Sequence, residues 1–382
     1  MVNGVLPYQE IKEMINSNVI KIDGDNLSFM DLLEDENPNN PIGLASFEPS
    51  LGNRVFAMPA SILPCKEMNL LDRLEKENHY NFELNTEELR FLPAKNLYVI
   101  PLNETLNLPK GFIGESTGRS SVGRTNTILK LLTENYSRYN FIPNGYNGRL
   151  FLEIFPGSFP IIIKKGLRLN QIKFAFGDFG EIDEVALKLL HETHPLLYDE
   201  SGNPLSLDSK IEKDSVVMNL RLKGESSLVY QARKNVSQGL DFSRDFRTDD
   251  NKYKLKEFWE EVPITNGKVI INPGEFYIMI TKERISVPPD YVTKMIPYDS
   301  NLADLKTQEA DLFNPGHGFK TKGFCPVLEI KAYGEPIELR DDFPICRIKY
   351  HKLRSTPNKK GYDEVKNSYI GQEKANPGNM FM

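Results

Sequence analysis

LEIFPGSFPIIIKKGLRLNQIKF (152–174) can be laid without a gap on LEIKAYGEPIELRDDFPICRIKY (328–350), with Glu153 over Glu329, Pro160 over Pro336 and Ile172 over Ile348. Each copy is a chain of short β-branched or aromatic runs broken by Gly, Pro, Asn or Asp, the pattern of strands joined by tight turns. The likeness extends upstream, where Leu108-Pro109 answers Val287-Pro288 and FIPNGYNG (141–148) has a looser counterpart in LFNPGHGF (312–319). Self-similarity at so long a period predicts a duplicated domain rather than a solenoid, whose repeats are far shorter. LYVIPL (98–103), RLFLEI (149–154), VVMNLRL (216–222) and EFYIMIT (275–281) read as further strands. The fold class expected is therefore mainly β, two tandem distorted β-barrels or jelly-rolls with a few short helices. One of those helices follows Pro7, where Ile11, Met14 and Ile15 share a face. The turn-rich stretch YDESGNPLSLDSKIEKD (198–214) marks the expected division into domains 1–197 and 198–382.

The chain has 382 residues, 47 basic and 53 acidic, for a net charge of −6. No global basic field draws it to nucleic acid or to an anionic membrane, so any polyanion it binds must be small and locally held. Three cysteines, Cys65, Cys325 and Cys346, are too few and too scattered for a disulfide framework. The N-terminus MVNGVLPYQEIKEMINSNVIKI lacks the pattern of a signal peptide, and no stretch approaches 18 apolar residues. A cytoplasmic protein is expected, with a small-molecule partner and neither nucleic acid nor membrane.

Two segments carry chemistry. GRSSVGR (118–124) gathers two arginines, two hydroxyls and two glycines. Small residues allow close approach, and Arg, Ser and backbone N–H groups suit phosphate oxygens, although a solvated turn with paired arginines fits equally well. It is neither a Walker loop nor a G-x-G-x-x-G turn. Some 30 residues on, RLFLEI puts Leu150, Leu152 and Ile154 on one face and Arg149, Phe151 and Glu153 on the other. If the second face lines a cleft, Glu153 is an acid suited to proton transfer; otherwise it faces solvent.

Zinc chemistry finds little support. Pro64-Cys65 lacks the second cysteine of a P-C-x-x-C motif, and the five histidines sit near no cysteine pair. His191 and His194 stand three apart without a nearby third ligand, which favours a structural role. A G-x-S-x-G elbow is absent too.

In order and spacing, these residues resemble the zinc-independent dCTP deaminases of the dUTPase-like superfamily. GRSSVGR is similar to that family's G-R-S-S-x-x-R element, and GYNGRLFLEI (145–154) to its Gly-rich turn and the strand bearing the catalytic glutamate. GVLPYQEIKEMINSNVI (4–20), ASFEPSLGNRV (45–55), KKGLRLNQIKF (164–174) and the tail SYIGQ (368–372) add to the resemblance, whose two-domain branch matches the duplicated length. It implies hydrolytic removal of the 4-amino group of dCTP, giving dUTP and ammonia, and a homo-oligomer, a trimer with active sites between subunits. Mg²⁺ would accompany the triphosphate, and no zinc is implied.

Carried over, Glu153 is the catalytic carboxylate. Ser120 and Arg124 orient water or stabilise developing charge, Arg119, Ser120, Ser121 and Arg124 contact the nucleotide, and Tyr369 and Gln372 belong to a covering tail. Phe151, beside Glu153, is counted with the substrate positions. The family's I-D-P-G turn, whose Asp reads the sugar, is replaced by FIPNGYNG. There Asn144 could bond a hydroxyl, and Tyr146 could stack on deoxyribose or simply pack. In the second half Glu329 persists, but PYDSNLADL (297–305), with Asp299 and Asp304, stands where the donor-rich element should recur. That domain is expected to be mainly structural, with a second site at Glu329 and His317 as the competing view. Alternatives to the deaminase are a dUTPase, a bifunctional deaminase-diphosphatase, and a non-catalytic nucleotide-binding module.

Overall fold

A computed structural model describes residues 2–22, 33–34, 37, 39–66, 68–77, 80–224, 229–299, 305–306, 311–365 and 369–382; His79 and Asp304 lie outside them. The chain divides into two compact units, one of residues 1–179 and 236–244, the other of 180–235 and 245–382. The segment 180–197, expected with the first domain, belongs to the second unit. Its helix α4 (Glu184–Thr193) is capped by Asp183, which accepts the Ala186 N–H at 2.8 Å. The turn chemistry at 198–204 is real but local, since the Asp199 carboxylate gathers the N–H groups of Ser201 and Asn203. It closes a loop inside a unit rather than linking two.

The first unit is built from strands β1 (Gly4–Val5), β2 (Ile20–Ile22), β3 (Arg54–Met58), β4 (Asn81–Glu83), β5 (Arg90–Leu92), β6 (Leu97–Asn107), β7 (Phe112–Gly118), β8 (Thr127–Thr133), β9 (Phe141–Ile142), β10 (Asn147–Pro156), β11 (Ile161–Ile163) and β12 (Asn170–Phe176). Among the described residues, three short helices accompany them: α1 (Tyr8–Asn16), α2 (Leu70–Lys76) and α3 (Ser120–Gly123). One sheet runs β1-β12-β7-β9 and a second β4-β3-β6-β10-β8, with β2 also on β6. Helix α1 starts behind Pro7 and buries Ile11, Met14 and Ile15, the predicted face. The main core holds Leu150, Leu152 and Ile154 of β10 with Ile142, Ile172 and Phe174. This is the jelly-roll-like class that the strand pattern predicts.

The duplication holds at the level of register. Glu153 faces Val99 across β10 and β6, as Glu329 faces Ile278 in the second unit. Ile172 faces Ser116, as Ile348 faces Met295. A strand ladder fixes which side chains share a face, so matched registers mean matched positions in the two units.

Candidate functional site

The alternation along β10 places Glu153 and Phe151 on the face opposite the main core, as expected. That face, however, is not an open cleft. Helix α2, whose N-cap Asn69 accepts the Asp72 N–H at 3.0 Å, lays Leu70 and Leu74 over it, and these close with Ile62, Phe56, Val99 and Leu132 around Phe151. Phe151 is 0% exposed. Its expected place among the substrate positions is therefore corrected: the ring is the centre of a second apolar cluster, sealed by a helix that the sequence reading did not anticipate.

Glu153, 2% exposed, is held by donors from two other segments. The Ser61 hydroxyl lies 2.7 and 2.8 Å from its two oxygens, the Ile62 N–H donates to Oε2 at 3.2 Å, and Lys130 Nζ donates to Oε1 at 2.9 Å. Lys130 sits directly opposite Glu153 in the β8–β10 ladder. Its Nζ also donates to Ser61 Oγ at 3.0 Å and lies 4.5 Å from the Tyr139 ring, whose hydroxyl is 2.9 Å from Ser61 Oγ. With the single Ser61 proton on the carboxylate, Tyr139 donates to Ser61. A buried carboxylate satisfied by a hydroxyl, an amide and an ammonium group is a built acceptor, not a stray acid. Sequence reasoning missed Ser61, Lys130 and Tyr139. The lone lysine in TILKLLT was a usable signal, whereas Ser61 lies 92 positions from Glu153 in an irregular segment.

GRSSVGR follows the end of β7. The Arg119 N–H donates to the Leu169 carbonyl at 3.0 Å, and the Gln171 amide reaches the Gly118 carbonyl at 3.4 Å. Ser120 and Ser121 open α3 and are half-buried. The two arginines have different fates. Arg119, its side chain 43% exposed, uses Nη1 on the Arg168 carbonyl at 3.2 Å and on Glu48 Oε2 at 3.4 Å. Arg124 is buried, and its N–H donates to Ser120 O at 3.1 Å. Within one protomer the partners of Glu153 are Ser61, Ile62 and Lys130, none of them in the heptad. Six residues lead from Arg124 to Lys130, roughly 20 Å of extended chain as an upper bound.

The turn residues hold the turn itself. Asn144 Oδ1 accepts the Gly111 N–H at 3.0 Å. The Tyr146 ring lies in the main core, and its hydroxyl donates to the Arg149 carbonyl while accepting the Glu134 N–H at 3.1 Å. Burial, with the Glu134 charge adding to it, pushes that phenol far above its ordinary range. Of the two roles open for Tyr146, the packed aromatic is the one observed.

A second buried carboxylate was not singled out by the sequence reading. Glu104, fully buried, accepts the Ser50 N–H and the Ser50 hydroxyl, each at 2.8 Å. Burial pushes its carboxyl up to about 7, against the lowering by those two bonds and by the Arg168 guanidinium. The second unit repeats the device: Glu283 accepts the Asn219 N–H at 2.7 Å, but there Lys210 Nζ neutralises it at 2.6 Å.

Elsewhere in the second unit, Glu329 is buried, and His317 is stacked 3.5 Å from the Phe324 ring and 3.9 Å from Tyr362. Asp299 pairs with Lys213 at 3.4 Å. In the tail, the Tyr369 hydroxyl donates to Asn379 at 3.3 Å and the Gln372 amide to the Cys325 carbonyl at 3.3 Å. His191 Nδ1 accepts the Leu196 N–H, a helix-end role, while His194 packs against Phe319. Among the described residues, no group of three or more His, Cys, Asp or Glu gathers as a ligand set, and no helix is long and apolar enough to cross a membrane.

Comparison with known proteins identifies the family. Residues 2–178 match the model of the 2'-deoxycytidine 5'-triphosphate deaminase N-terminal domain, and residues 183–375 that of its C-terminal domain. A dCTP deaminase, dUMP-forming, from Methanopyrus kandleri is 28% identical over 30% of this chain and 58% of its own length. One of the same name from Hydrogenobaculum sp. is 31% identical over 30% of this chain and 60% of its own. The chain thus spans less than two thirds of the length of these curated relatives. The crystal structure of 2'-deoxycytidine 5'-triphosphate deaminase from Agrobacterium tumefaciens is 26% identical, with TM-score 0.79, over 94% of this chain and 100% of that one. With both halves matched in order, the chain belongs to the 2'-deoxycytidine 5'-triphosphate deaminase family.

Proposed function

We propose that the chain removes the 4-amino group of dCTP by hydrolysis, giving dUTP and ammonia, with Glu153 as the proton-transferring carboxylate. The observation that carries this reading is the buried Glu153 and its donors Ser61, Ile62 and Lys130, in a chain of this family. Water attacks C4 as Glu153 takes its proton, and that proton passes to ring N3. A second transfer, from the new hydroxyl through Glu153 to the amine, breaks the C4–N bond and frees ammonia with the carboxylate regenerated. The Ser61 oxygen, bridging Glu153, Lys130 and Tyr139, occupies the kind of position an attacking water needs.

In this reading Arg119, Ser120 and Ser121 hold phosphates, and Arg124 with Ser120 stabilises charge developing at the base. Because the heptad supplies no partner to Glu153 within a protomer, a complete site takes its heptad from a second copy, in a homo-oligomer such as a trimer. Tyr369 and Gln372 take the covering role. Mg²⁺ enters with the nucleotide, on the triphosphate oxygens. The protein works as a soluble, cytoplasmic enzyme.

A second reading rests on the names of the relatives, several of which are dUMP-forming. Under it, dUTP is hydrolysed further to dUMP and pyrophosphate. Incubation with dCTP and Mg²⁺, following ammonia and pyrophosphate separately, decides: ammonia alone supports the first reading, both products the second, and neither overturns the two together.

A further inference from the structure

The register of the duplication picks out three charged residues that only the first unit carries. Ser50 and Asn219 hold equivalent places, each donating its N–H to the buried Glu104 or Glu283, so Glu48 corresponds to Val217. Gly118 faces Asn170 as Pro297 faces Cys346, so Arg119 corresponds to Tyr298 and Arg168 to Pro344. The buried glutamate is kept in both units, where it ties two segments of the fold. The trio Glu48, Arg119 and Arg168 is present together in one unit and wholly replaced in the other by residues that cannot form it.

We propose that Glu48, gripped by Arg168, positions the Arg119 guanidinium to receive nucleotide phosphates. The proposal rests on the deaminase reading for its ligand. Glu48 stands on a segment fixed on both sides. Phe47 exchanges two backbone hydrogen bonds with Ile172 at 2.8 and 2.7 Å, Ser46 bonds the Gln171 amide oxygen at 3.3 Å, and Ser50 is tied to Glu104. Arg168 Nε donates to the Glu48 carbonyl at 3.1 Å, and its charge faces the Glu48 and Glu104 carboxylates as well as Arg119. The same Gln171 that holds Ser46 also holds the Gly118 carbonyl, so Glu48 and Arg119 are referenced to one anchor. Against this frame Arg119 spends Nη1 alone, on Glu48 and on the Arg168 carbonyl. Among the described residues its Nε and Nη2 make no hydrogen bond, and this edge of the fork matches two phosphate oxygens. Fixing one end of a long side chain before binding removes rotamer freedom that the ligand would otherwise have to freeze.

The test compares wild type, Glu48→Gln, Arg119→Ala and the double variant, with calorimetric titration of dCTP and of inorganic tripolyphosphate, steady-state KM and kcat, and the thermal midpoint. Loss of this half-exposed ion pair predicts about three- to fivefold weaker binding of both ligands in Glu48→Gln, with KM rising more than kcat falls and the midpoint moving little. In the Arg119→Ala background the same change is expected to weaken binding less than about twofold, because its effect passes through Arg119. Equal losses in both backgrounds, or tighter binding in Glu48→Gln, overturn the proposal. Should Glu48→Gln fold poorly, Glu48→Asp in the same cycle carries the test, with a smaller loss that must also vanish without Arg119. A protein that binds tripolyphosphate with this dependence yet releases no ammonia refutes the deaminase reading and leaves the positioning role standing; turnover with no Glu48 dependence does the reverse.

Discussion

Replacing Glu104 with Gln should make the protein more stable at pH 8 and leave it nearly unchanged at pH 5. The amide is isosteric and keeps an acceptor for the Ser50 N–H and a group facing the Ser50 hydroxyl, so it imitates the protonated acid. The wild-type carboxyl sits at about 7 when folded against 4.5 when exposed. Below pH 4.5 both states are protonated and the contribution is fully present. Between 4.5 and 7 the unfolded chain gives up a proton that the folded chain retains, so stability falls as pH rises. Above 7 both are ionised and the deficit is constant. The 2.5-unit difference between those two values corresponds to about 3 kcal/mol. For a unit of this size that is roughly 6–12 °C in Tm. Thermal and urea unfolding of both proteins at pH 5, 6, 7 and 8 reads the effect as a difference, which cancels every other titrating group. The variant should gain about 3 kcal/mol at pH 8 and match wild type within about 1 kcal/mol at pH 5. A stability difference independent of pH, or a variant weaker than wild type at pH 8, refutes the reasoning.

Other perturbations probe the remaining features. Glu153→Gln should cut dCTP turnover by about 10³-fold or more while calorimetric nucleotide binding persists; undiminished ammonia release rules out the assigned role. Lys130→Met leaves the buried Glu153 without its cation and should cost about 2 kcal/mol in urea unfolding, a figure reduced because the lysine is 30% exposed. Phe151→Ala should cost about 3–5 kcal/mol through the cavity it opens, and Phe151→Leu much less. If Phe151→Leu raised KM strongly without loss of stability, the ring would be touching substrate after all. Tyr146→Phe forfeits the bonds to Arg149 and Glu134 and should cost about 1–2 kcal/mol, seen as a lower denaturation midpoint.

Much of this was legible because strands write their faces into the sequence at period two. RLFLEI assigned Leu150, Leu152 and Ile154 to one side and Phe151 and Glu153 to the other, and the 152–174 overlay on 328–350 foretold matched registers. Period two says nothing of what covers a face. Phe151 looked exposed to a cleft because α2, which seals it, lies some 80 residues upstream. Ser61 and Glu48 were invisible for the same reason: each acts across a long loop of chain through one or two polar atoms. Turn chemistry misled where it was strongest, since the Asp199 loop has every mark of a linker and serves within a unit. The return of 236–244 to the first unit, through Leu240–Asp241 pairing with β11, left no pattern longer than two residues.

The exposed segment around Ser61 reaches down to cap an acid that solvent barely touches. Any visitor to that acid therefore displaces part of the polypeptide rather than bulk water. Its measured affinity is the intrinsic one scaled by how often the cap stands aside. A Ser61 replacement that loosens the cap would thus tighten binding of good and poor ligands by the same factor, so grip would change while discrimination stayed where it was.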